Sequence, residues 1–262
     1  MKYCTSNYQW EAYRMKVQEL RFNIKNINGA LHFLENERHS SHRVILEIPD
    51  VKNMGISIDK LIPLAKENKQ IVLDLFKLED LITIAKASNK ECSYMYHYQV
   101  VTWALVQILS YYKVSDILIG EPLVFEMNKV KDNIKSEGIN IRVCPHLGRQ
   151  ISEPVDDGSC HFWILPQHMH LYEDIIDVCD LLDNNITREA TIVDTYTKEK
   201  PYILPMNLLI TNFDREIPGG KITDDLVKAR KNCGQRCMVN RMSCHSCDLH
   251  MRLAEVVKEK ES

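Results

Sequence analysis

Cys233, Cys237, Cys244 and Cys247 lie within the run CGQRCMVNRMSCHSC, spaced C-x3-C-x6-C-x2-C. Spacers this short let both pairs face one point, so four thiolates there can hold a tetrahedral zinc ion or an iron–sulfur cluster. Zinc sites usually repeat C-x2-C, and here one pair has three intervening residues, so the spacing alone leaves both metals open. His245 and His250 could each replace a thiolate, which would favour zinc. Lys228, Arg230, Lys231, Arg236, Arg241 and Arg252 surround the four thiols. Positive charge lowers thiol pKa values and can meet a phosphate backbone. A solvated basic face on a small metal-bound lobe is the plainer reading of the same charges.

The elements that would position chemistry come earlier in the chain. Gln9 to Glu37 reads as an amphipathic helix, with Trp10, Tyr13, Val17, Leu20 and Ile24 near three- and four-residue spacing. VILEIPD then reads as a first buried strand, followed by short apolar runs at IVLDLF, CSYMY, DILIG and INIRVCP. Helical patterns separate them: Ile58 to Ala65, Leu78 to Ala85, Val101 to Leu109, and Phe125 to Ile134, the last stopping at Gly138, where a left-handed cap is expected. Strands alternating with such helices indicate βαβ units and a parallel sheet, hence an α/β fold. After Pro145 the run HLGRQISEPVDDGSC reads as a long irregular loop. FWILP, TIVDTY and YILPMNLLI supply further candidate strands, with a helix carrying Leu171, Ile175, Val178, Cys179 and Leu182 between the first two. About eight strands result, the number of a (β/α)8 barrel. The weak final helices predict a TIM-barrel-like fold that is partial or irregular. Residues 1–216 would form this barrel with its N-terminal helical element, and residues 217–262 a cysteine-rich metal-binding lobe.

In a parallel barrel the reactive groups sit at the C-terminal ends of strands. Those ends are Glu47 and Asp50, Asp74 and Lys77, Tyr96 and His97, Glu121, His146 and Arg149, then Gln167 and His168. Any barrel rim is polar, so each residue singly is more often surface than site. Glu121, between Gly120 and Pro122 at a strand end, and His146, after INIRVCP, are the preferred catalytic pair. A carboxylate and an imidazole there could do general acid–base work or hold a second metal. His161, His168 and His170 are dense, yet His168-x-His170 opening a helix reads as satisfied or exposed rather than ligating. Neither G-x-G-x-x-G, G-x-x-x-x-G-K-[ST] nor G-x-S-x-G occurs, so nucleotide-loop and serine-elbow sites have no motif support.

YMYHYQVVTWALVQILSYYKVSDILIGEPLVFEMNKVKDNIKSEGINIRVCPH resembles the collagenase-like peptidase family, U-thirty-two, over the central third of the chain. IGEPLVFEM, Ile119 to Met127, is the best-matching piece, with Glu121 at the position of the family's characteristic Glu. The resemblance implies a TIM-barrel-like enzyme, an iron–sulfur cluster on four cysteines, and hydroxylation of RNA bases or a small aromatic. Cys233, Cys237, Cys244 and Cys247 would then be the cluster ligands, more compactly spaced than in that family. The competing expectation is a non-catalytic scaffold or adaptor, with zinc stabilising a C-terminal lobe that binds protein or nucleic acid.

The chain has 262 residues, 45% hydrophobic and 26% charged, enough to bury a core unaided. A net charge of -3 argues against a general nucleic-acid binder while leaving room for a local basic patch. No apolar run reaches the roughly 20 residues of a membrane span. The N-terminus lacks a signal-peptide pattern, and nine cysteines, five of them scattered, do not make a disulfide framework, so a cytoplasmic location is expected.

Overall fold

The computed structural model describes residues 1–6, 17–36, 42–55, 57–98, 103–119, 127–146, 163–182, 186–198, 200–210 and 217–231. Eight strands lie among them: β1 Lys2–Ser6, β2 Glu19–Asn23, β3 Arg43–Ile48, β4 Ile71–Leu75, β5 Ser93–Tyr98, β6 Val114–Ile119, β7 Asn140–Val143 and β8 Val178–Asp180. Each pairs in parallel with the next, and β1 pairs with β8, so the barrel is closed. The expected barrel is therefore closed rather than partial, with a register irregularity between Tyr94 and Met95 where β5 meets β6. Pairing around the full circle leaves no exposed strand edge.

Helices α1 Ile27–Asn36, α2 Ile58–Glu67, α3 Leu78–Ala87, α4 Trp103–Tyr111 and α5 Met127–Ser136 connect β2 through β7 in turn. Their apolar stripes cover the outer face of the strands. Leu61, Ile62 and Ala65 of α2 are buried, as are Leu81, Ile84 and Ala85 of α3. Phe22 of β2 turns outward, its ring 6.2 Å from that of Phe33 on α1. Gly138 closes α5 at φ +73, a left-handed conformation that glycine adopts without steric cost.

By its internal contacts the chain divides into two compact units. The first is Met1–Gly120, Val130–Val143 and Ile176–Leu182, and it contains all eight strands. The second is Glu121–Lys129, Cys144–Ile175 and Asp183–Ser262. The second has its own core: Trp163, Ile164, Leu165 and Tyr172 are buried, as are Ile192, Val193 and Tyr196 of α6 Ile186–Thr197, and Leu226 and Val227 of α7 Asp224–Lys231. Tyr196 donates its hydroxyl to the Ile164 carbonyl at 2.7 Å. An antiparallel bridge pairs Pro205 with Pro218. There Gly219 packs so tightly that a Cβ would stand 2.5 Å from the Tyr202 carbonyl oxygen.

Three expected strands are not strands. The described part of FWILP, Trp163 to Leu165, forms no strand and runs into a 3-10 turn at Pro166–Tyr172, TIVDTY lies within α6, and YILPMNLLI carries a 3-10 turn at Met206–Leu208. Each buries some of its apolar residues, although Ile203, Leu204 and Leu208 of the last are exposed, and a short apolar run does not reveal whether it is strand, helix or loop. The helix expected around Val178 is instead β8, and the one expected from Gln9 to Glu37 contains β2.

Candidate functional site

Down the middle of the barrel, Cys4, Ile45, Val72, Met95 and Val178 form a buried apolar cluster, with Leu118 packed against it. Charged residues fill the interior on either side. This inverts the usual barrel, whose inward layers are mostly branched aliphatics.

Toward the N-terminal ends of the strands, two arginines and two carboxylates interlock. Arg43 of β3 donates to Glu19 of β2 at 2.9 Å and to Asp116 of β6 at 2.6 Å. Arg142 of β7 donates to Glu19 at 2.5 Å and to Asp116 at 3.4 Å. It also grips Asp180 of β8 with two donors, Nε at 3.1 Å and Nη2 at 2.7 Å. β3 and β6 are not sheet neighbours, so the Arg43–Asp116 pair crosses the barrel interior. Charge at this end reads as stability rather than chemistry.

Toward the C-terminal ends lies a second group: Arg21 of β2, Glu47 of β3, Asp74 of β4 and His97 of β5, with Asp180 beneath. Parallel register sets Glu47 beside Asp74, and Asp74 beside Met95, two residues before His97. Arg21 donates to Asp74, to Glu47 at 3.2 Å and to the Met95 sulfur at 3.8 Å, and lies 3.5 Å from Asp180. His97 Nε2 lies 2.9 Å from Asp74 Oδ2, and because a carboxylate only accepts, the imidazole donates. Phe76 stacks on the His97 ring, centroids 3.8 Å apart and planes 20° apart. Asp74 is fully buried, whereas the side chains of His97 and Glu47 remain 25% and 27% exposed. Among the described residues, Asp74 Oδ1 and Arg21 Nε are buried without a hydrogen-bond partner.

Burial would raise the Asp74 carboxyl, but the Arg21 charge and the His97 contact outweigh it and hold the group below the usual carboxylate range. Burial opposes the ionised Asp116 and Asp180 as well. Arg43 and Arg142 overcome it at Asp116, and Arg142 and Arg21 at Asp180. Each aspartate therefore has a lower pKa folded than unfolded, so its ionised form contributes stability above about pH 4, the unfolded value, and loses it as pH falls toward the folded value. Thermal melts followed by circular dichroism should show a midpoint that changes little on this account from pH 7 to 5 and drops steeply below about pH 4. A midpoint that stays level down to pH 2.5 would remove the ionic interior as a source of stability.

Of the residues expected at the barrel rim, the structure brings Glu47, Asp74 and His97 together. Asp50 instead accepts from the Asn53 backbone at 2.9 Å and from Lys77 at 2.5 Å, organising the turn after β3. Tyr96 is buried at 6% exposure, on the face opposite His97. His146 is wholly buried in the second unit, its ring 6.4 Å from that of Tyr196. Gln167, in the same unit, donates to the Gly219 carbonyl and accepts from the Tyr202 amide. His168 is buried with Nε2 3.1 Å from the Ile222 carbonyl, and burial lowers its pKa. His170 is exposed and 3.3 Å from Asp224, so neither member of the histidine pair needs a metal to explain it. Glu121, Arg149, His161 and the four cysteines Cys233, Cys237, Cys244 and Cys247 lie outside the described residues. Among the described residues, no three His, Cys, Asp or Glu side chains are grouped to hold a metal ion, Cys4 and Cys92 are free thiols, and no helix is long and apolar enough to cross a membrane.

Arg21 and Asp180 escaped the sequence reading because their strands did. The available signal was alternation in ELRFN: Glu19, Arg21 and Asn23 on one face, Leu20 and Phe22 on the other.

No family model matches the chain, and no curated protein does. Among solved structures, a mutant tryptophan synthase α-subunit from the hyperthermophile Pyrococcus furiosus is similar at 8% identity, with a TM-score of 0.46. The match covers 76% of this chain and 95% of that one. At that distance the likeness carries no functional argument, and the barrel stands on its own strand pairing.

Proposed function

We propose that this chain is a (β/α)8-barrel enzyme whose reaction turns on proton transfer by His97. The observation that carries the reading is the Asp74–His97 pair at the C-terminal end of the barrel. A buried carboxylate accepting from Nε2 fixes the neutral ring as the Nε2–H tautomer and leaves Nδ1 as the basic nitrogen. Phe76 fixes the ring plane and Arg21 fixes the carboxylate. His97 is thus held in one orientation while remaining reachable, as a general acid–base requires.

A mixture of small molecules can test this without a chosen substrate. Wild-type protein and His97→Gln are each incubated in deuterium oxide with a small-molecule cell extract, followed by mass spectrometry. Compounds that gain deuterium or change mass with the wild type and not with a folded His97→Gln variant are the expected result. Identical profiles from the two proteins would overturn the proposal.

A second reading rests on the C-x3-C-x6-C-x2-C spacing alone, together with the U-thirty-two resemblance: an iron–sulfur barrel enzyme modifying RNA bases or a small aromatic. Its expected outcome is iron with acid-labile sulfide and broad visible absorbance in protein purified without oxygen. Stoichiometric zinc without sulfide would replace it with the zinc-stabilised lobe and direct attention to protein or nucleic-acid partners of the basic segment.

A further inference from the structure

The two charged groups inside the barrel differ in balance. At the N-terminal end, Arg43 and Arg142 face Glu19 and Asp116, two cations to two anions. At the C-terminal end, Arg21 is the one guanidinium among the described residues that faces Glu47, Asp74 and Asp180 together, with Asp180 shared with Arg142. Among the described residues of the interior that is five carboxylates, Glu19, Glu47, Asp74, Asp116 and Asp180, to three guanidiniums. Were His97 protonated, the C-terminal group would still hold one more carboxylate than cations. Lys77 does not change the sum, because Asp50 neutralises it. Uncompensated charge out of water is costly, and such a site favours whatever cation can enter it.

Two details say where that cation would bind. Asp74 is wholly buried, its Oδ2 held by Arg21 and His97, yet its Oδ1 has no donor among the described residues. Glu47, adjacent in register, is bonded to Arg21 through Oε1 and is the most exposed carboxylate of the group, at 27%. A donor reaching both would meet two carboxylates beside the imidazole, whereas an anion would meet their repulsion.

We propose that the site takes a small cationic substrate, presenting an ammonium or amidinium group to Glu47 and to the free oxygen of Asp74. The proposal rests on the reading of this barrel end as the reactive site. It adds a class of substrate, with Glu47 as the residue that selects it. An amine anchored there lies within reach of His97, which would exchange a proton with the substrate or its neighbouring carbon without any added oxidant or metal.

The experiment uses two probes of equal chain length and opposite charge, 1,4-diaminobutane and succinate. Each is titrated by calorimetry and by the NMR signals of the His97 ring in the full-length protein. The diamine should bind saturably and shift His97, and Glu47→Gln should weaken it at least tenfold, with Glu47→Ala as a second variant if the first misfolds. Succinate should do neither. Absence of saturable diamine binding, tighter binding of succinate, or diamine binding indifferent to Glu47 would each overturn the proposal. The deuterium experiment separates this failure from that of the function. His97-dependent substrates that prove anionic sink the cation preference and leave the proton-transfer reading intact, whereas Glu47-dependent diamine binding with no His97-dependent turnover does the reverse.

Discussion

Arg142→Met should destabilise the protein by about 3–5 kcal/mol, the range for removing one partner from a buried ionic group. Its side chain is wholly buried and supplies donors to Asp180, Glu19 and Asp116. Methionine fills much of the same space, so the effect isolates charge from packing. Without the guanidinium, the one cation left to Asp180 among the described residues is Arg21 at 3.5 Å, and Glu19 and Asp116 share Arg43. Those carboxylates must then become protonated or admit water, and either route weakens the closed barrel. Against a domain stability of roughly 5–15 kcal/mol this is a large loss. The internal standard is Lys66→Ala, which breaks an exposed pair with Glu91 and should cost at most about 1 kcal/mol. Urea unfolding by circular dichroism compares the two. If the midpoint of Arg142→Met moved no further than that of Lys66→Ala, the buried network would not be holding the barrel. A double change, Arg142→Met with Asp180→Leu, should recover part of the loss, since it removes the most strongly orphaned anion with the cation.

The same charges explain which strands are legible in the sequence. β4, IVLDL, is buried at every position, so its composition announces a central strand even though Asp74 points inward. β3, β5, β6 and β7 are equally readable, because the helices around them fix their limits. β2 is not, because in ELRFN the inward residues are Glu, Arg and Asn, and the outward Leu20 joins Val17 and Ile24 in a helix-like spacing. β8 has three residues, too few for a period, and one is the buried Asp180. Glu47, Asp74 and His97 can be placed at strand ends from the sequence. That Arg21 ties them together cannot, because the contact spans 53 residues to Asp74 and exists only once the barrel closes. His146, which also reads as a strand-end residue, lies in the core of the second unit.

Asp74→Asn should lower turnover of any His97-dependent substrate by about 10²–10⁴-fold, the usual worth of a positioned general acid–base. The substitution changes almost no volume, and its consequence runs through one charge. The carboxylate can only accept, so it keeps hydrogen on His97 Nε2 and basicity on Nδ1. Arg21 and His97 both donate to one oxygen, Oδ2, so an asparagine keeps its carbonyl oxygen there and turns its NH2 to the unpartnered Oδ1 position. Nε2–H is retained, and what is lost is the negative charge that would stabilise the imidazolium formed when the ring takes a proton. Nitrogen chemical shifts of the ring check this directly: the Nε2–H form should persist in Asp74→Asn at a pH where the ring is neutral. Arg21 retains Glu47 and Asp180, so the guanidinium is not stranded and the fold should survive with a smaller loss than in Arg142→Met. Loss of turnover with the tautomer unchanged is the expected result and assigns the effect to the Asp74 charge. An unchanged rate would remove the Asp74–His97 pair from the reaction, because a base whose supporting anion can be neutralised without consequence is not acting through it.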